Sequence, residues 1–424
     1  MFFMSIMLAL FYFICSIFIN INWINDIACY FGYFLAIYLV TFIALVPGFN
    51  FIFMFISLLF GKKEKETCMK KEEDVTVLIP VYNSKDCIKE TIESIKKQKY
   101  CGDIYINVID DGSSDGSLEL LKSMDSDSNI TLIESDHMGK AHALNKALQY
   151  VKTDYIITVD SDTILHPLAI RNIMNKLVNS DEKTAATAGC LFVKNAKKSF
   201  ITKLQEWDYT LGIFGVKLIQ SNYNSTLVAQ GAFSAYKTKM LKEIGGWQNC
   251  VGEDIVLTWE LLSRGYETNF AKNAIAFTEV PEKFISLGKQ RRRWARGMIE
   301  AFKKVKVLTS KKLNIKSKIL MCLNVFFPFT DLALLIFVPL GLILLALGKP
   351  LLIGWLSLLV LPLGMLLCLL IEYRRRNMLK DIECKLEKRS FLAFVVYILL
   401  YAFILAPYCL IGYISELINC KKEW

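Results

Sequence analysis

Long uncharged runs near both ends of the chain constrain its fold more than any other feature. Residues 2–21 and 27–60 carry no charged side chain, and residues 319–347, 351–371 and 391–415 carry only Asp331. At 1.5 Å per residue, each run can cross a hydrocarbon layer of roughly 30 Å as a helix. Helices buried in soluble cores rarely keep an apolar run beyond about 14 residues. The runs lift the hydrophobic content to 54% and the mean hydropathy to +0.37. Residues 1–21 open Met-Phe-Phe, without the basic start or small-residue cleavage site of a secretory leader, so they are expected to persist as a helix.

These limits divide the chain into N-terminal transmembrane helices (1–60), an interior domain (61–302), a basic interfacial segment (303–318) and C-terminal transmembrane helices (319–424) with a loop at 374–390. Lys62, Lys63, Lys65, Lys70 and Lys71 follow the second apolar run, and Arg374, Arg375 and Arg376 follow the fourth. Basic residues stay on the cytoplasmic side, which places the interior domain and the 374–390 loop in the cytoplasm of a multi-pass cell-membrane protein. Three crossings after residue 318 put Lys421 and Lys422 on the far side, against the same rule. Pro328, Asp331 and Pro339 also allow residues 319–347 to be broken or partly interfacial. The crossing count is open at this stage.

The 12 cysteines are scattered, without CxxC spacing or a nearby His, and read as small hydrophobes in a reducing compartment. The net charge of +10 suits anionic lipid. Its basic residues border the apolar runs rather than forming a recognition helix, which excludes nucleic acid as a partner. A transporter is disfavoured because Asp331 is the only ionisable group within the runs.

The interior alternates strand and helix patterns. Short β-branched runs at 75–81, 104–109, 130–133 and 155–159 are separated by helical stretches at 85–98, 115–124 and 139–151. This order implies βα units and a mainly parallel sheet, whose ligands bind beyond the strand carboxyl ends. Tyr82-Asn83, Asp110-Asp111-Gly112 and Asp160-Ser161-Asp162 all fall at such ends.

Paired carboxylates at a strand end are costly unless they meet a cation, and hard oxygen ligands at that spacing suit Mg²⁺ or Mn²⁺ with substrate phosphates. A solvated turn is the plainer reading of Asp160-Ser161-Asp162 taken alone. Asp110 and Asp111, one strand earlier on the same edge, can accept hydrogen bonds from a base and a ribose. Lys140 follows Gly139 at a helix start, where a cation and free N–H groups suit a diphosphate. Asp254, in Gly252-Glu253-Asp254, reads either as a helix N-cap or as a general base. Gln290-Arg291-Arg292-Arg293-Trp294 reads either as a membrane-surface anchor or as a diphosphate clamp beside an indole that stacks on sugar.

VTVLIPVYN, VIDDGSSDGS, GKAHALNKAL, VDSDT, GGW, GED and QRRRW occur in this order over roughly residues 75–300. The set resembles the family 2 glycosyltransferases, inverting enzymes with the GT-A nucleotide-binding fold. The Gln-x-x-Arg-Trp string is similar to that of the processive branch, the cellulose, chitin, hyaluronan and poly-N-acetylglucosamine synthases. The flanking helices and short length are most similar to the bacterial poly-N-acetylglucosamine synthases.

The resemblance implies a GT-A domain inserted between transmembrane helices, a UDP-sugar donor and a growing polysaccharide acceptor, and it leaves open whether a small accessory membrane protein is a further partner. It implies that Tyr82 packs near the base, that Asp110 and Asp111 contact uridine, and that Lys140 approaches the diphosphate. Asp160 then binds ribose or diphosphate, and Asp162 holds Mg²⁺ or Mn²⁺ with it. Asp254 matches the base, and Gln290, Arg293 and Trp294 match the motif that secures acceptor and leaving group. The alternatives it leaves open are another processive synthase, or a non-processive membrane transferase acting on a lipid carrier. Two positions depart from the pattern: Gly252 stands where the family usually has Thr, and Arg292 occupies a free position of the Gln motif.

Overall fold

A computed structural model describes residues 1–61, 72–124, 129–307, 309–352, 355–384 and 388–421. Lys62, Lys63, Lys65, Lys70, Lys71 and Lys422, used above for orientation, lie outside the described residues, as do residues 353 and 354 of the fourth apolar run.

Strands β1 (Val75–Val81), β2 (Ile104–Asp111), β3 (Ile130–Ser135) and β4 (Tyr155–Val159) form the expected parallel half of the sheet, in the order β3-β2-β1-β4. The other half adds β5 (Thr163–Leu165), β6 (Thr184–Val193), β7 (Phe233–Lys237) and β8 (Glu267–Thr278). The full order is β3-β2-β1-β4-β7-β6-β8-β5, and β7 pairs antiparallel with both β4 and β6. The sheet is therefore mixed and mainly parallel, as the sequence implies.

Alternation along β1 sends Val75, Val77 and Ile79 to one face, against Ile88, Ile92 and Ile95 of the following helix. Leu78 faces the other side, among Ala143, Leu144 and Ala147. Each fully buried aliphatic side chain contributes about 1.5–3 kcal/mol, so helices on both faces fix the sheet edge that presents the acidic groups.

Four described helices are long and apolar enough to cross a membrane: Phe2–Ile19, Ile21–Leu59, Ile315–Ala346 and Phe391–Leu417. The 20–26 linker is helical from Ile21, and the bend falls at Gly32, whose φ of +80° no side-chain-bearing residue adopts readily. Residues 315–346 form one helical path despite Pro339, with a short 3₁₀ turn at Asn324–Phe326. A further helix, Trp355–Asp381, runs on through Arg374–Arg376, so the first part of 374–390 is helical.

One end of several of these helices rests on the interior domain. Phe2 packs on Tyr223 with ring centroids 4.7 Å apart, and the Tyr223 hydroxyl donates to Ser57 Oγ at 2.6 Å. Ser317 and Ser225 share a hydrogen bond of 2.8 Å. The opposite ends meet one another, where Trp23 Nε1 donates to the Leu351 carbonyl at 2.8 Å. The helix Phe391–Leu417 differs. It lies against the domain at the Ser390 carbonyl, which accepts from Trp207 Nε1 at 3.1 Å, and again at Glu416, which accepts from Arg296 Nε at 2.9 Å.

Candidate active site

Every polar group picked out at a strand end lies on one edge of the sheet. Tyr82, just past β1, is exposed and stacks on His137, with ring centroids 4.0 Å apart and planes at 14°. Asp110 and Asp111 close β2 and are both buried. Their duties differ. Asp111 accepts from the backbone N–H of Met138 (3.1 Å) and Gly139 (2.9 Å) and from His137 Nδ1 (3.0 Å), so it shapes the loop that leads to Lys140. Asp110 Oδ2 accepts from the Ser113 N–H at 3.0 Å, while its buried Oδ1 has no partner among the described residues. An orphaned buried acceptor is costly, and a ligand donor would relieve it.

Lys140 opens the helix Lys140–Leu148 behind Gly139, whose φ is +94°. Its ammonium pairs closely with Asp160 Oδ1 and lies 3.6 Å from Glu253 Oε1. Burial opposes that charge, but Asp160, Glu253 and Asp254 together hold the Lys140 pKa above the ordinary lysine value.

Asp162 occupies a cradle made by strand pairing. Thr163 and Thr278 face each other across β5 and β8, and each hydroxyl donates to Asp162 Oδ1 at 3.2 Å. Burial, and then the neighbouring Asp160 charge, raise the Asp162 pKa. Repulsion of this kind is what a divalent cation relieves. Among the described residues no group of three His, Cys, Asp or Glu gathers as a metal cage. The two close carboxylates of Asp160 and Asp162 are the kind of hard oxygen pair that Mg²⁺ uses when water and substrate phosphate complete its shell.

The helix Glu253–Ser263 begins with both acidic residues in its first turn. Gly252, not Asp254, holds the N-cap position, and it brings no side-chain acceptor. Asp254 Oδ1 accepts from the Ile255 N–H at 2.7 Å. Glu253 had not been singled out from sequence. Burial and then Asp254 and Asp160, opposed by Lys140, push its pKa up to about 7. The GED string gave no sign that residue 253 would face residue 140.

The helix Phe284–Lys304 carries Gln290–Trp294. Arg293 and Trp294 are exposed, and the buried Gln290 Oε1 has no partner among the described residues. Arg291, also missed from sequence, is the buried member of the string. Its guanidinium lies 2.6 Å from Asp208 Oδ2 and 4.1 Å from the centroid of the Trp294 ring. A cation over an indole face holds that ring by about 0.5–2 kcal/mol.

The Gly252 departure has a steric reason. A Cβ there would meet the Gly297 Cα at 2.6 Å, so the two helices touch backbone to backbone.

Lys217 was not anticipated either. It is 6% exposed, and no hydrogen-bond or ion-pair partner reaches it among the described residues. Burial drives its pKa down to about 7, against the pull of Asp254 and Cys190. A lysine whose folded pKa lies below the unfolded value costs stability below that unfolded value. The cost grows as pH falls from about 10 towards 7 and is constant below. Lys217→Met is therefore expected to raise the melting temperature by several degrees at pH 7, with a gap that narrows towards pH 10. Thermal unfolding in detergent across that range measures it. A gap independent of pH would mean that Lys217 is charged in the folded protein.

A mixed, mainly parallel sheet with acidic residues gathered at the carboxyl ends of its strands is the arrangement of a GT-A glycosyltransferase. The family described as glycosyltransferase like family 2 matches residues 73–297, and the chain belongs to it. Among curated relatives, the chain is 30% identical over 237 residues to the poly-beta-1,6-N-acetyl-D-glucosamine synthase of Staphylococcus aureus (strain MSSA476), covering 55% of this chain and 57% of that one. It is 29% identical over 227 residues to the enzyme of the same name from Staphylococcus epidermidis, covering 53% and 54%. The matches thus span just over half the length of these relatives. Among solved structures, the mannosyltransferase PcManGT from Pyrobaculum calidifontis, in complex with GDP-Man and Mn2+, shares the fold. Its TM-score is 0.63 at 17% identity, over 91% of this chain and 99% of that one.

Proposed function

We propose that this glycosyltransferase is a processive, inverting enzyme. It polymerises UDP-N-acetylglucosamine into a β-linked poly-N-acetylglucosamine on the cytoplasmic face and passes the polymer through its own membrane helices. The observation that carries this reading is the placement of Trp294, an exposed indole braced by Arg291, on a helix packed against both the Asp254 helix and the apolar helix Phe391–Leu417. The names of the curated relatives support the sugar.

In this reading Tyr82 and Asp110 take the uridine, and Asp111 keeps the loop that presents Lys140. Lys140 and Arg293 hold the diphosphate. Asp160 and Asp162 would hold Mg²⁺ or Mn²⁺, which when bound neutralises charge building on the departing UDP. Mn2+ in the PcManGT complex agrees with that choice. Asp254 accepts the proton of the acceptor hydroxyl, whose oxygen bonds to the anomeric carbon as the bond from that carbon to the diphosphate oxygen breaks. The configuration inverts, and Asp254 returns its proton to water. Trp294 stacks on a sugar face, a contact that tolerates sliding.

The test is incubation of the purified protein with UDP-N-acetylglucosamine and Mn²⁺, with product length and linkage measured for wild type and Trp294→Ala. Loss of a stacking contact worth about 1 kcal/mol should shorten the product while UDP affinity stays within about twofold. Normal-length polymer from Trp294→Ala would remove the platform role. Transfer of a single sugar by wild type would replace the processive reading with a non-processive one.

A further inference from the structure

The turn that leads into the Asp254 helix is held from outside that helix. The first N–H groups of a helix lack intrahelical partners, and an N-cap side chain normally supplies an acceptor. Gly252 has none. Just ahead of the helix, the N–H groups of Val251 and Gly252 both donate to Glu300 Oε2, at 2.8 and 3.3 Å. Glu300 belongs to the helix Phe284–Lys304, the one that bears Gln290, Arg293 and Trp294, and it is 2% exposed. Beside this bond the same two helices meet at Gly252 and Gly297. A Cβ on either glycine would fall 2.6–2.8 Å from the other's Cα.

A carboxylate is costly to bury unless charge-assisted hydrogen bonds compensate it. Here the donors are backbone groups of the neighbouring helix start, which also favours an anion through its dipole. We propose that Glu300 is a positioning residue. It locks the start of the Asp254 helix to the Trp294 helix, so that the group that takes the acceptor proton keeps a fixed distance from the surface on which the acceptor lies. The inference rests on the reading of Asp254 as the base and Trp294 as the platform. The glycine contact sets how near the helices come, and Glu300 sets their register.

The test uses the full-length protein in detergent or nanodiscs, with Glu300→Ala and Glu300→Gln. The glutamine keeps an oxygen that accepts both N–H groups, and the alanine does not. Misplacement of a reacting group by about 1 Å costs on the order of 10²-fold in rate. Glu300→Ala is therefore expected to lower kcat about 10–100-fold, with KM for UDP-N-acetylglucosamine within about twofold and the number of UDP sites per chain unchanged. Glu300→Gln should recover most of kcat. Three results overturn the proposal: a wild-type kcat for Glu300→Ala, a fall in kcat matched by an equal loss of UDP sites, or a glutamine variant as impaired as alanine. Asp254→Asn in the same assay separates this outcome from the reading beneath it. If that variant turns over normally, the base assignment fails whatever Glu300 does. If wild type uses a different UDP-sugar, the comparison is made with that donor.

Discussion

Asp254→Asn is expected to lower turnover by roughly 10²–10⁴-fold while the protein stays folded. The two halves of this result come from different parts of the structure. The helix start is held by Glu300 and by the Gly252–Gly297 contact, and among the described residues the Asp254 side chain accepts only the adjacent Ile255 N–H. An asparagine oxygen can accept that bond, so stability should change by under about 1 kcal/mol. What asparagine cannot do is take a proton from a sugar hydroxyl. Rates of sugar transfer and thermal unfolding, measured on one preparation, check both halves. A near-normal rate would leave Asp254 with a structural role and would turn attention to Glu253, whose pKa near 7 also suits proton transfer.

Asp162→Asn should abolish turnover. The cradle survives the change, because the Thr163 and Thr278 hydroxyls can donate to an amide oxygen as they do to the carboxylate. Repulsion from Asp160 is relieved, so the variant should fold at least as well as wild type. The loss falls on the ligand set: one of two carboxylates that would hold Mg²⁺ or Mn²⁺ against the diphosphate is gone, and its neighbour Asp160 is already engaged by Lys140. Activity should be indistinguishable from background, and EDTA should bring wild type to the same level. Full activity of Asp162→Asn, or wild-type activity undiminished in EDTA, would sink the metal assignment.

Local chemistry made much of this site legible. The short β-branched runs at 75–81 and 155–159 match β1 and β4 residue for residue, because turn residues close both. The antiparallel half was not legible by the same means. β6 reads TAATAGCLFV, with three alanines and a glycine, residues depleted in strands, where β1 and β4 are mostly β-branched. Asp110 and Asp111 look equivalent in sequence, yet one holds a loop and the other keeps a free oxygen. The division depends on where residues 137–139 return in space. Arg291, Glu253, Lys217 and Glu300 were missed for a related reason. Each gains its meaning from a partner or a burial created by tertiary packing, and their spacing in the chain carries no trace of it.

The helix Phe391–Leu417 has a consequence for how the chain is threaded. By length and composition alone it counts among the crossing helices. Yet its contacts with the catalytic domain run from end to end: Ser390 meets Trp207, Tyr408 lies against Gly288, Gly412 against Arg292, and Glu416 against Arg296 and Lys303. A rod with both ends resting on one domain begins and finishes on that domain's side of a bilayer. On the membrane reading proposed above, with the 351–371 run crossing as its sequence implies, the passages are then left to Phe2–Ile19, Ile21–Leu59, Ile315–Ala346 and Trp355–Asp381, an even number. On that reading Lys421, whose carbonyl accepts from Arg296 at 3.1 Å, falls on the same face as Arg374–Arg376, in keeping with the charge rule.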